Sequence, residues 1–196
     1  YAMEGSIFIA GAGVQWLRDR MKFFNKASET EKIVKSLKNN NDIYLVPAFT
    51  GLGAPYWDAN SRGVLSGITR DTSPKEIVRA TIEAVAYQTQ DLFEAMKHDG
   101  LRPKIVKVDG GMVMNNWFSQ FLSDIVDVKV LRPKVQETTA LGAAFMAGLH
   151  IGVYKSLKDI SRNWSLDKKF SPNMKKQSRS TLLKGWMKAV KRTLIN

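Results

Sequence analysis

Two glycine turns are the places in this sequence where residue type and spacing point to chemistry. The first is Ile9-Ala10-Gly11-Ala12-Gly13 running into Val14-Gln15; the second is Val108-Asp109-Gly110-Gly111 running into Asn115-Asn116. Each follows an apolar run and precedes an amphipathic one. Bare backbone therefore falls where a strand end meets a helix start, and unpaired N–H groups there attract a phosphate or a nucleoside. The same glycines also serve any tight turn, and on spacing alone both readings stand. Neither turn matches a stricter motif: Trp16 stands where a dinucleotide-binding fingerprint needs glycine, and no G-x-x-x-x-G-K-[ST] occurs. Asp109, at a strand terminus beside glycines, is placed either to orient Mg2+ or water or to cap the turn that follows.

Composition removes several other chemistries. The chain has no cysteine, which excludes a thiolate metal site, a cysteine nucleophile and a disulfide framework. The two histidines, His98 and His150, are too few and too far apart for a histidine metal cluster, so they read as surface or structural residues. No catalytic residue and no metal ligand set is assigned. With 196 residues, 44% of them hydrophobic, the chain has enough apolar content for one domain of ordinary size. No apolar run reaches the roughly 18–20 residues of a membrane span, and the first residues lack the basic start of a signal peptide, so the cytoplasm is the expected location.

The formal charge of +12, from 30 Lys and Arg against 18 Asp and Glu, is unevenly placed. Residues 155–196 hold 12 of the cations against Asp159 and Asp167, and residues 1–154 are close to neutral. A basic tail raises the alternatives of nucleic acid or an anionic surface. Against them, Leu182, Leu183, Trp186, Ala189, Val190 and Leu194 recur at helical spacing, which predicts a docked amphipathic helix over about 180–194 with a solvated Lys/Arg face. Neither nucleic acid nor a membrane span is expected as a partner.

The elements that must position the two turns follow from period and punctuation. A strand is expected over about 2–10, a helix near 14–24 on Val14, Leu17, Met21 and Phe24, and a short strand over 43–47. Residues 48–63, rich in glycine and aromatics, read as a long ordered loop. The strongest signal is a helix over 73–97: Ser73 as cap, Pro74 at the first helical position, Glu76 completing a capping box, and Gly100 beyond the end. Strands over 105–108 and 128–131 alternate with helices over about 115–126 and 138–149. Ala140, Ala144 and Gly148 share a face of the last of these, where small residues let a neighbour approach closely. The alternation predicts an α/β domain with a largely parallel sheet and right-handed crossovers.

A resemblance adds to this reading. Gly63, Leu65, Gly67 and Ile68, then Glu76, Ile77, Ala80, Thr81, Ile82 and Glu83, have the types and spacing of the C-terminal signature of the FGGY carbohydrate kinases. VPAFTGLGAPYWD, RATIEAVAYQT, VDGGMVMNN and ETTALGAA are similar to the glycerol-phosphorylating branch of that family. The similarity runs from Tyr1 through Tyr154, and Phe170, Pro172, Met174, Gly185 and Trp186 resemble the family's ending. The resemblance implies a ribonuclease-H-like domain of the actin and hexokinase type, incomplete at its N-terminus, over residues 1–154, followed by the basic tail 155–196. It implies ATP with Mg2+ as cofactors and glycerol as substrate, with most of the glycerol pocket and the aspartate base in a part that this chain lacks. It further implies a complementary N-terminal half as partner and a homo-oligomer among full-length members. Gly11, Gln15, Gly111 and Asn115 then stand for nucleotide contacts, with Gly110 as neighbouring backbone. On this reading the chain is the C-terminal part of a kinase and is inactive alone; the alternative is a non-catalytic nucleotide-binding fragment or a degenerate relic.

Overall fold

A computed structural model of the chain describes residues 2–194. Its centre is α3 (Pro74–His98), the 25-residue helix with the clearest start signal. The capping box forms as its residue types demand: the Ser73 side chain accepts from Lys75 N–H, and Ser73 N–H donates to Glu76 at 2.9 Å. The apolar stripe of α3 is wider than one face. Every residue from Val78 to Gln88 is buried, because other elements cover the helix on several sides.

These covering elements are α1 (Gly11–Asp19), α2 (Glu29–Lys35), the short hairpin pair β1 (Tyr44–Val46) and β2 (Val64–Ser66), and α4 (Asn116–Val126). α7 (Lys176–Thr193) closes the layer by lying over β1, β2 and α4. Tyr87 marks the centre of the core, with its ring 5.3 Å from Trp186, 5.7 Å from Phe121 and 5.9 Å from Tyr44. Burying such a cluster removes several hundred Å2 of apolar surface from water, the main favourable term here. Beneath it, fully buried Glu83 accepts from Arg79 Nε at 2.7 Å and from the Tyr87 hydroxyl at 2.8 Å, so both its oxygens are partnered inside the core, where burial pushes the carboxyl above its usual range.

A second sheet runs in the order β3 (Ile105–Lys107), β4 (Lys129–Pro133), β5 (Leu166–Phe170). β3 and β4 pair in parallel, with Ile105 opposite Lys129, across the expected β-α-β crossover through α4. β5 pairs antiparallel with β4, and β1 with β2, so a largely parallel sheet is not what forms. β5 lies in the polar stretch of the tail. Its Leu-Asp-Lys-Lys-Phe buries only Phe170, which leaves too little alternation to announce a strand.

Two further expectations are corrected. Residues 2–10 form no strand; the segment lies against α3, with Gln88 Nε2 donating to Ile9 O and Ala54 N–H donating to Ser6 O. Alternation of side chains makes a strand only when a neighbour exchanges a ladder of backbone hydrogen bonds with it, and the single bond from Ala54 makes no ladder. The small residues of α5 (Thr138–His150) do not meet a neighbouring backbone: Ala140 and Ala144 are exposed, and only Gly148 is buried, against the Tyr154 ring. α5 and its surroundings instead carry uncovered apolar side chains, with Met146, Ile151, Val153 and Leu157 all at least half exposed. α6 (Leu157–Ser161) is a single turn between α5 and β5. Among the described residues no helix is long and apolar enough to cross a membrane.

Candidate functional site

The two glycine turns, about 100 residues apart in sequence, come together. Gly11, Val14 and Gln15 from the start of α1 face Gly111, Met112, Met114 and Asn115 across a cleft of about 400 Å3, with Ile82 of α3 at its floor. α1 reaches this position because Gly13 lies so close to α3 that a Cβ there would sit 2.9 Å from the Thr81 methyl. Gly11 and Gly111 have no such internal reason to be glycine. A Cβ on either would meet nothing within 4 Å, and neither has a positive φ. What their bare backbone leaves open is the cleft itself.

The second turn is held from below. Gly110, at φ +82, donates its N–H to Gln136 O at 3.2 Å, and Gly111–Met114 then form one turn of 3-10 helix. Arg132 of β4, 6% exposed, reaches under this turn: Nη1 donates to Val113 O at 2.8 Å, Nη2 to Asn116 Oδ1 at 3.2 Å, and Nε to Asp167 Oδ2 at 2.7 Å. Asn115 caps α4, its Oδ1 accepting from Phe118 N–H at 3.0 Å.

The third wall is α2 and the residues before it, which residue pattern did not single out. Ala27, Ser28, Thr30 and Glu31 line the cleft together with Arg18. Asn115 Nδ2 donates to Thr30 Oγ1 at 3.3 Å, and Asn116 N–H donates to Glu31 Oε2 at 3.2 Å. The Lys35 ammonium, hydrogen-bonded to the other Glu31 oxygen, holds the Glu31 carboxyl below the usual range. A signal for α2 was present: Ser28-x-x-Glu31 before Ile33 and Val34 has the spacing of a capping box.

Of the five site residues expected, four line this cleft; Gly110 sits behind it as backbone. Asp109 is exposed, lies outside the cleft and makes no side-chain hydrogen bond among the described residues, so it neither caps the turn nor faces the site. His98 and His150 are exposed and do not line it. No group of three acidic or histidine side chains suited to a metal ion occurs among the described residues.

A larger, more open cleft of about 1020 Å3 lies near the start of α3, lined in part by Glu76, Arg79, Trp117 and Asp124. Three of its charged groups are already engaged: Glu76 with Ser73, Arg79 with Glu83 and Leu37 O, and Asp124 with Asn173 and Met174 N–H. None of the expected site residues borders it.

The fold and the cleft define an α/β domain that brings two bare-backbone turns and a capped helix start to one concave site. The model of the FGGY family of carbohydrate kinases, C-terminal domain, matches residues 1–151, and the chain belongs to that family. It is 55% identical over 192 residues to glycerol kinase 1 of Pseudomonas aeruginosa, covering 98% of this chain and 39% of that protein. Glycerol kinase of Alkaliphilus oremlandii is 52% identical over 195 residues, with 99% and 39% covered. The chain thus spans about two-fifths of the length of the curated relatives it matches. Among solved structures, the Plasmodium falciparum glycerol kinase with ADP superposes with a TM-score of 0.86 at 37% identity, over 97% of this chain and 38% of that one. A xylulose kinase from Lactobacillus acidophilus gives 0.79 at 23% identity, over 96% and 38%, which speaks for the shared fold alone; the family match and the glycerol kinase structure make that fold the ribonuclease-H-like, actin- and hexokinase-type one.

Proposed function

We propose that this chain is the nucleotide-side part of an ATP-dependent glycerol kinase, and that its cleft binds the adenine nucleotide. The observation that carries the reading is the pairing of Gly11 with Gly111: both line the cleft, and neither packing nor backbone conformation requires glycine at either position. Val14, Ile82, Met112 and Met114 supply an apolar surface for a base, and the amides of Gln15 and Asn115 supply polar contacts. Bound there, ATP would supply the phosphoryl group that passes to a hydroxyl of glycerol. Mg2+ would be held largely by the phosphates and by groups outside this cleft, since no ligand set among the described residues converges on it.

The transfer also needs a base for the glycerol proton and charge stabilisation around the moving group. Among the described residues Glu31 is the one carboxylate lining the cleft, and it is committed to Asn116 N–H and Lys35. The chain therefore positions nucleotide and leaves glycerol, the base and the transfer itself to a complementary N-terminal part. Cytoplasmic location and self-association of the whole protein belong to the same reading, and nucleic acid is not a partner in it. Two measurements test it. Titration calorimetry with ADP should give saturable binding that Gly111→Leu abolishes; no binding by the chain itself would overturn the nucleotide reading. A coupled kinase assay should detect no glycerol phosphorylation by the purified chain, and turnover would overturn the division of labour.

A further inference from the structure

We propose that Thr30 and Glu31 of α2 are positioning residues for the nucleotide cleft, which set the direction in which the Asn115 amide presents its free N–H. The inference rests on the nucleotide reading of the cleft and adds to it two residues that do the aiming.

The argument is an accounting of hydrogen-bonding capacity. A side-chain amide has two donors on nitrogen and two acceptor sites on oxygen. Asn115 Oδ1 spends one acceptor on Phe118 N–H, which places the amide nitrogen on the opposite side. There Nδ2 donates to Thr30 Oγ1 at 3.3 Å. The Thr30 hydroxyl hydrogen is itself committed, donating to Ala27 O at 2.6 Å, so toward Asn115 this hydroxyl acts as an acceptor. The chain Asn115 Nδ2–H to Thr30 Oγ1–H to Ala27 O has one sense only. With the side of the nitrogen already set by the Phe118 cap, it fixes the tilt of the amide plane, and the second Nδ2 hydrogen is left without a partner among the described residues at a side chain that lines the cleft.

Glu31 acts one residue further on. Its Oε2 accepts Asn116 N–H at the first position of α4, and its other oxygen is tied to Lys35 within α2. Both contacts join segments 85 residues apart in sequence. Thr30 is buried at 4% exposure, so water does not compete freely for its lone pairs. Without these contacts Asn115 would keep its cap on α4, which still fixes the side on which its nitrogen lies, and the turn would keep Arg132 beneath it, but the tilt of the amide plane would lose its second anchor.

The test uses the full chain and ADP as probe. Thr30→Val keeps the shape and removes the acceptor; Thr30→Ser keeps the hydroxyl. Glu31→Ala removes the acceptor for Asn116 N–H; Glu31→Gln keeps an oxygen there. Loss of one such bond weakens ADP binding about three- to tenfold. The expected result is that weakening for Thr30→Val and Glu31→Ala, with Thr30→Ser and Glu31→Gln within about twofold of the parent and all four melting cooperatively. If Thr30→Val binds ADP as the parent does while Asn115→Ala weakens it, the positioning role is wrong although the cleft is right. If Thr30→Ser binds as poorly as Thr30→Val, the effect comes from packing and the proposal falls. If the parent chain binds no ADP, the nucleotide reading and this inference fall together.

Discussion

Asp91 should make this protein lose stability as pH rises from 4 to 7, the reverse of an ordinary carboxylate. Its Oδ2 accepts from Trp186 Nε1 at 2.6 Å and from the Tyr56 hydroxyl at 2.8 Å, joining α3 to α7 and to the loop between β1 and β2. Both donors are neutral. Burial pushes the carboxyl up to about 6, against the smaller opposing pull of the two donors. In the unfolded chain the group titrates near 3.8. Between these values the folded chain holds a proton that the unfolded chain has lost, so the stability present below about pH 4 is lost as pH rises through about 6. A gap of roughly two units corresponds to about 3 kcal/mol. Asp91→Asn keeps an acceptor for both donors and removes the titration. Urea unfolding at half-unit steps from pH 4 to 8 and constant ionic strength should show the variant gaining about 3 kcal/mol on the parent across that range. In melting temperature this is roughly 6–12 °C for a chain of this size. A difference between the two proteins that stays constant over the range would refute the reasoning. Tyr56→Phe gives an internal check, because removing a donor raises the carboxyl further and moves the transition to higher pH.

Three other outcomes follow from the packing. Arg132→Met should cost about 2–3 kcal/mol, because Val113 O loses its charged donor, and it should also weaken ADP binding measured by calorimetry, since the 3-10 turn of the cleft rests on that guanidinium. Gly185→Ala should cost about 1–3 kcal/mol in denaturant unfolding, as its methyl group would overlap the Tyr44 ring where α7 crosses β1. Met146→Gln with Ile151→Ser should leave stability within about 0.5 kcal/mol and reduce concentration-dependent association in sedimentation, because both side chains are already exposed, at 51% and 73%.

The parts of the fold that were legible in the residues are those whose stability is local. α3 could be placed from Ser73, Pro74 and Glu76 because a capping box and an N1 proline act within one turn. The docking of α7 was legible because Trp186, Ala189 and Val190 repeat at helical spacing and have no other use. The parts that misled are those whose meaning depends on a neighbour. Residues 2–10 alternate like a strand and have none beside them. Ala140 and Ala144 are small as if for a close contact, and face outward. The strand β5 was hidden for the converse reason: its partner β4 supplies what its own Leu-Asp-Lys-Lys-Phe lacks.

The candidate site divides along the same line. The two glycine turns stood out by residue type, and the family resemblance then picked Gly11, Gln15, Gly111 and Asn115 within them as individual contacts. Thr30 and Glu31 could not be named, since a threonine and a glutamate in a polar stretch acquire meaning only when Asn115 and Asn116 arrive from 85 residues away. Arg132 is a sharper case. In sequence it is one cation among 30, yet its burial under the 3-10 turn makes it the support of one whole wall of the cleft. The chain's strong positive charge therefore says little about its chemistry. The cation that supports one wall of the cleft from beneath is one that solvent hardly reaches, and the Lys-rich outer face of α7 is opposite the apolar side that holds the helix in place.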